Sequence, residues 1–343
     1  MGSVSESLTI DGCAYAEGEF EGCSDAVHRS KLSAFFLTLS SFEGFSETIR
    51  SIGKIYNLAD KEEKKICVAR SYDDLVKNAQ VGKKSIILAF QEPYPIGNSL
   101  DNLRVFYELG VRVVQLTYNK SNYIGTGCTE STDRGLTDFG RELIAEMNRL
   151  GMLIDVSHCS KLTVLEAIKA SSQPIVISHA NVKNISDNPR NKTDEEIKLL
   201  AEKGGVIGLT PWSAILWNSE LDKQPSLDDY LDHVEYIINL VGINHVGFGS
   251  DITLDDKEDQ SGTLVQANLY PEVVSEYYRR VGSEPIVSHA KNFKGVKEID
   301  NVIVGLKKRG YSEEAIGKFL GGNFTRVLKQ VWKSERNVVS SSK

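Results

Sequence analysis

Eight apolar runs recur along the chain: SLTIDG (7–12), AFFLTLS (34–40), SIILAFQ (85–91), VRVVQLTY (111–118), MLIDVS (152–157), PIVIS (174–178), GVIGLT (205–210) and HVGFGS (245–250). Most are nearly continuous rather than alternating, as expected of strands covered on both faces of a parallel sheet. The segments between them carry a helical period. In 42–56, Phe45, Ile49, Ile52 and Ile55 fall on one side. Segments 99–110 and 136–151 each stop at a glycine, and the second starts at a Thr-Asp cap. Thr193 with Glu196, and Ser226 with Asp229, are spaced as capping boxes. Eight strands alternating with helices predict a (β/α)8 barrel in one domain, 1–343, with its core at about 7–334. A doubly wound open sheet shares the alternation, but no GxGxxG follows the first strand. Residues 252–292 lack clear periodicity and suit a lid over the barrel mouth. The chain from Gly295 predicts two or three packing helices and a flexible tail at 335–343.

The histidines change this picture. His158 and His179 each end one of two successive apolar runs, with the helical segment SKLTVLEAIKAS between them. In a parallel sheet that places both imidazoles at the same C-terminal edge, where barrels keep their chemistry. Asp251 ends the eighth run in register with them. The other strand ends offer Cys13 and Tyr15, Gln91 and Glu92, and Tyr118 and Asn119. Two neutral imidazoles suit zinc, and an aspartate beside them suits proton transfer. A histidine at a strand end can also be a satisfied core residue. His289 lies in the expected lid and His245 at the opposite end of its strand, where a structural role is expected.

A net charge of −7 and a pI near 5.5 argue against nucleic acid as a partner. Five scattered cysteines without CxxC spacing argue against a disulfide scaffold and for a reducing compartment. No apolar run approaches the ~18 residues of a membrane span, and no signal peptide is recognisable at the N-terminus. A cytoplasmic location without membrane contact is the expectation.

The motifs DVSHCS (155–160), VISHANVKNISDNPRNKTDEEIKLLAEKGGVIGLT (176–210), HVGFGSD (245–251) and GGNFTRVL (321–328) resemble the membrane (renal) dipeptidase family, metallopeptidase family M19. PIGNSLDNLRVFYELGVRVVQLTYN (95–119) and GLTDFGRELIAEMNRLGMLIDVSH (135–158) extend the likeness, which runs from about Thr9 to Trp332 in the family's order. The resemblance implies a (β/α)8 barrel that cleaves dipeptides with two zinc ions, often as a homodimer. It places His158 and His179 on the ligands of the second zinc, Arg190 on the arginine that binds the substrate carboxylate, and Asp251 on the aspartate that handles the proton.

The departures from the family are chemical. Its first strand ends in His-x-Asp, where this chain has Cys13 and Tyr15. The bridging glutamate falls on Gln91, and a histidine that steadies the tetrahedral intermediate falls on Tyr118. A neutral amide cannot offset the charge between two dications, so one zinc at most is expected, on His158, His179 and Cys13, or none. A one-residue slip would bring in Glu92, but would turn that side chain to the other face. Gln91 and Tyr118 then become substrate-binding candidates, with Tyr118 and Tyr15 as neutral proton donors beside Asp251. The expected function is hydrolysis of a dipeptide or small amino-acid-derived amide bearing a carboxylate. The alternatives are a lyase, isomerase or cyclase in the same pocket, or a small-carboxylate binder without catalysis.

Overall fold

The computed structural model describes residues 8–16, 27–217, 224–254, 266–274 and 288–332. Its ten strands form one sheet, and every pairing is parallel. Eight strand positions make the barrel: β1 (Ile10–Tyr15), β2 (Ala34–Ser40), β4 (Lys84–Phe90), β5 (Val111–Gln115), β6 (Leu153–Asp155), β7 (Val176–Ala180), β8 (Val206–Leu209), and the pair β9 (Val246–Phe248) and β10 (Ile252–Thr253). β9 pairs with β8 while β10 pairs with β1, and only residues 249–251 separate them. One continuous stretch thereby closes the sheet on itself. All eight expected strands are present. The short β3 (Ile66–Val68), which pairs with the lower half of β4, was not anticipated because charged residues flank only three apolar ones.

Helices fill the crossovers: α1 (Phe45–Lys61), α2 (Tyr72–Gln80), α3 (Leu100–Glu108), α4 (Asp138–Leu150), α5 (Lys161–Ala170), α6 (Asp194–Glu202), the single turn α7 (Ser213–Leu216) and α8 (Leu227–Val241). Thr193 with Glu196 and Ser226 with Asp229 form both bonds of their capping boxes, and Thr137 caps α4 through Gly140 N–H. After the barrel come α9 (Ile299–Lys308), α10 (Glu313–Gly317) and α11 (Asn323–Val331). α11 closes the bottom of the barrel. Its Phe324, Val327 and Val331 pack with Ile10, Phe36, Ile87, Val113, Val176 and Val206 from the strands. A larger apolar layer lies between the strands and the outer helices.

Two details of the sheet aim the chemistry. β1 carries an extra residue against β2 between Asp11 and Ala14, and β7 carries one against β8 between Ile177 and Ala180. Such bulges redirect side chains, and they hold Cys13 and His179. The interior is also narrow here. A Cβ added at Gly208 or at Gly249 would lie 2.0 Å from the carbonyl oxygen of Ser178, so glycine lets β8 and the β9–β10 junction approach β7. The expected tail at 335–343 lies outside the described residues, as does most of the expected lid at 252–292.

Candidate active site

The first strand begins and ends later than its apolar pattern suggests. Cys13 and Tyr15 therefore lie within β1 rather than after it, and likewise His179 lies within β7. Asp11 fixes this end of β1. Its carboxylate accepts Cys13 N–H (3.1 Å) and Ser250 N–H (2.7 Å), tying the bulge to the β9–β10 junction. At the end of that junction Asp251 adopts φ +53°, a left-handed conformation costly for a non-glycine residue and of the kind found at functional sites. Its carboxylate turns to Cys13 Sγ (3.5 Å) and Gln91 Nε2 (3.5 Å). Gln91 Nε2 also donates to Cys13 Sγ at 2.9 Å and to Thr38 Oγ1 at 3.1 Å. Donor atoms of Cys13, His179 and Asp251 all lie within 4.8 Å of one another.

Across the mouth, His158 Nε2 lies 2.8 Å from His179 Nε2. Their outer nitrogens decide the tautomers. His158 Nδ1 lies 2.7 Å from Asn119 Oδ1, an acceptor, so it carries the proton. His179 Nδ1 lies 2.8 Å from Ser178 Oγ, whose own proton is directed to the buried carboxylate of Asp155. Ser178 Oγ therefore accepts from His179 Nδ1–H. Both Nε2 lone pairs then face one another, an arrangement that a cation relieves. Burial, with the Arg190 charge next, holds both imidazoles well below the usual histidine range. A proton is accordingly a poor occupant. Burial and then Asp251 push the Cys13 thiol well up. Burial also raises Asp251, against the pull of Arg190.

Arg190 is fully buried, donating through Nη1 to Ser157 O (2.6 Å) and through Nη2 to His179 O (3.3 Å). Its Nε has no partner among the described residues. Tyr118 follows β5 and is buried, stacked on His158 with ring centroids 4.1 Å apart. Its hydroxyl accepts from Gln266 Nε2 at 2.7 Å, and burial with Asp251 keeps it un-ionised.

Relatives of known family share this barrel. Residues 24–292 match the model of the membrane dipeptidase family, peptidase family M19. The chain belongs to that family. Dipeptidase tcpJ of Claviceps purpurea is 28% identical over 96% of this chain and 66% of its own length. This chain therefore spans just under two thirds of that relative, and it covers 49% of an uncharacterized dipeptidase of Schizosaccharomyces pombe at 33% identity. A solved amidohydrolase of Pseudomonas aeruginosa is 33% identical, covering 95% of this chain and 97% of that one, with a TM-score of 0.83. An M19 dipeptidase structure at 18% identity and a TM-score of 0.77 shares the fold.

Against the M19 pattern, the structure brings Cys13, Gln91, Tyr118, His158, His179 and Asp251 together around one mouth, with Arg190 beneath the two histidines. Tyr15 is only half-buried, and among the described residues no hydrogen bond of the cluster involves its hydroxyl; its main-chain carbonyl accepts Leu254 N–H. Glu92 does not replace Gln91. Its carboxylate turns away to Tyr118 N–H and Asn122 Nδ2. His245 binds the Gly205 carbonyl at the far end, as expected. His289 is buried against the Ser250–Asp251 turn, and burial pulls it down to about 4. Asn119 was expected only as a strand-end residue at the mouth, and Ser178 and Asp155 were not anticipated as site residues. The signal for Asp155 was present: an acid inside an apolar run needs internal partners. No described helix is long and apolar enough to cross a membrane.

Proposed function

We propose that this M19 chain hydrolyses a dipeptide or a small amino-acid-derived amide with a free carboxylate, using one zinc ion at most. The observation that carries this reading is the pair of Nε2 lone pairs facing each other across 2.8 Å, with the His179 ring also within 4.8 Å of donor atoms of Cys13 and Asp251. His158 and His179 would hold one ion through nitrogen, with Cys13, which lies with His179 and Asp251 within 4.8 Å, as the candidate sulfur ligand. They do not fit two, because Gln91 directs amide hydrogens, not a bridging anion, at Cys13 and Asp251. A bound zinc would act as a Lewis acid on the amide carbonyl and acidify water.

The chain's own residues supply the rest. Arg190, a buried guanidinium with a spare N–H, fixes the substrate carboxylate by charge-assisted hydrogen bonds. Asp251 takes a proton from the attacking water and returns it to the leaving amine nitrogen as the C–N bond breaks. Its raised carboxyl suits both halves of that exchange. The Tyr118 hydroxyl, un-ionised, donates to the oxygen on which negative charge develops. The loss of the family's first-site ligands leaves these three roles intact.

The test is elemental analysis of protein purified without added metal, followed by a dipeptide panel with and without chelator. One zinc per chain and chelator-sensitive cleavage are expected. Two ions per chain, or no cleavage of any dipeptide by the zinc-loaded protein, would overturn the proposal.

A further inference from the structure

Glu92 is the acid that the barrel mouth leaves out. It follows Gln91 at the end of β4, and the two side chains leave the backbone on opposite sides. Gln91 reaches Cys13 and Asp251, whereas Glu92 lines a separate cavity of about 390 Å³ with Pro93, Tyr94, Asn122 and Tyr123. That volume is in the range of small-molecule sites. Among the lining residues Glu92 alone is charged. Its carboxylate is held in place: Oε2 accepts Tyr118 N–H at 2.8 Å and Oε1 accepts Asn122 Nδ2–H at 2.9 Å. Each oxygen retains accepting capacity, and neither contact is with a cation. Tyr94 and Tyr123 remain 64% and 61% exposed beside it. Packing among the described residues does not account for two large aromatics left in water at one pocket.

We propose that this cavity binds a small organic cation, a primary or quaternary ammonium, with its charge at Glu92 and its apolar substituents against Tyr94 and Tyr123. The chemistry excludes the other classes. An anion meets the carboxylate with nothing to offset it. A neutral apolar molecule covers a half-buried carboxylate without supplying a counter-charge. A hard dication wants more oxygen ligands than one carboxylate provides. An organic ammonium uses both features, by charge pairing and by attraction to the aromatic faces. Burial raises Glu92 to about 7, so cation binding there releases a proton and strengthens as pH rises through that value. The site is independent of the hydrolytic reading, since none of its lining residues has a role in the mouth.

The experiment is calorimetric titration of the full chain with choline and with its uncharged isostere 3,3-dimethylbutan-1-ol. Wild type is compared with Glu92→Gln and Tyr94→Ala. Saturable choline binding is expected, with the alcohol at least about tenfold weaker. Glu92→Gln should weaken choline by about tenfold or more, and Tyr94→Ala by about three- to tenfold, from the usual strength of one cation–π contact. Tyr94 is exposed, so its replacement leaves the fold intact even if Glu92→Gln perturbs the Tyr118 backbone. No saturable choline binding, equal affinity for choline and the alcohol, or unchanged choline affinity in Tyr94→Ala would each overturn the proposal.

Discussion

His158 Nε2 and His179 Nε2 face each other across 2.8 Å, each with its proton committed to the opposite side of its ring. The pair is thus set to bind a cation, while Asp251 lies nearby with its carboxylate on Cys13 and Gln91. This separates holding an ion from moving a proton. His179→Ala should lose zinc and activity together. Asp251→Asn should keep its zinc and lose about 10²- to 10⁴-fold in kcat, the usual worth of a general base. The paired measurement is zinc stoichiometry with single-substrate kinetics. Loss of zinc from Asp251→Asn would make the aspartate a ligand instead.

Gln91 gives a second test, because its amide stands where the resemblance to the family implies a glutamate. Gln91→Glu replaces a donor to Cys13 and Asp251 with a second carboxylate beside Asp251 in a buried cluster. Without metal it should destabilise the chain by about 1–3 kcal/mol, the cost of burying an unmatched polar group. Zinc should reverse the loss and bind in greater amount than in wild type. Thermal melts with chelator and with zinc report both effects.

Arg190 donates to the carbonyls of Ser157 and His179 and leaves Nε without a partner among the described residues. A lysine can replace its charge but not its planar fork. Arg190→Lys should raise KM for a dipeptide by about tenfold or more. The same variant should barely change KM for a substrate amidated at its C-terminus. Equal effects on the two substrates would assign Arg190 to scaffolding alone.

The barrel was legible because its strands are buried on both faces, so each one appears as an apolar run with a helical segment behind it. The outer ends of those runs were less legible. A bulge adds one residue without altering composition, so the pattern could not place Cys13 and His179 inside their strands. The opposite facing of Gln91 and Glu92 was readable from the two-residue period of a strand. The Asn119–His158 and Ser178–His179 contacts were not, since they depend on how separate strand ends meet.

Tyr118 combines a stacked ring with a hydroxyl held by Gln266. Tyr118→Phe keeps the stacking on His158 and removes only the donor. If the hydroxyl stabilises the developing negative charge, kcat should fall by about 10²- to 10³-fold with zinc content unchanged. Steady-state rates on the zinc-loaded variant decide this. A kcat within a factor of two of wild type leaves Tyr118 as packing.

His233 anchors the chain that leads to Arg190, and its titration should be visible in stability. Its Nδ1 accepts Val182 N–H at 3.0 Å, and burial draws its pKa down to about 3. In the unfolded chain a histidine titrates near ~6.5. The unfolded state therefore binds the proton first as pH falls. The contribution from this group is complete above about pH 6.5. It declines by about 1.4 kcal/mol per pH unit toward the folded value. His233→Asn retains an acceptor for Val182 but does not titrate in this range. The stability gap between wild type and variant should be widest near neutral pH and narrow by about that slope below ~6.5. Urea midpoints at fixed ionic strength between pH 5 and 7.5 measure it, over roughly one unit on either side of that value. A gap independent of pH would mean that His233 is protonated in the folded state as readily as in the unfolded one.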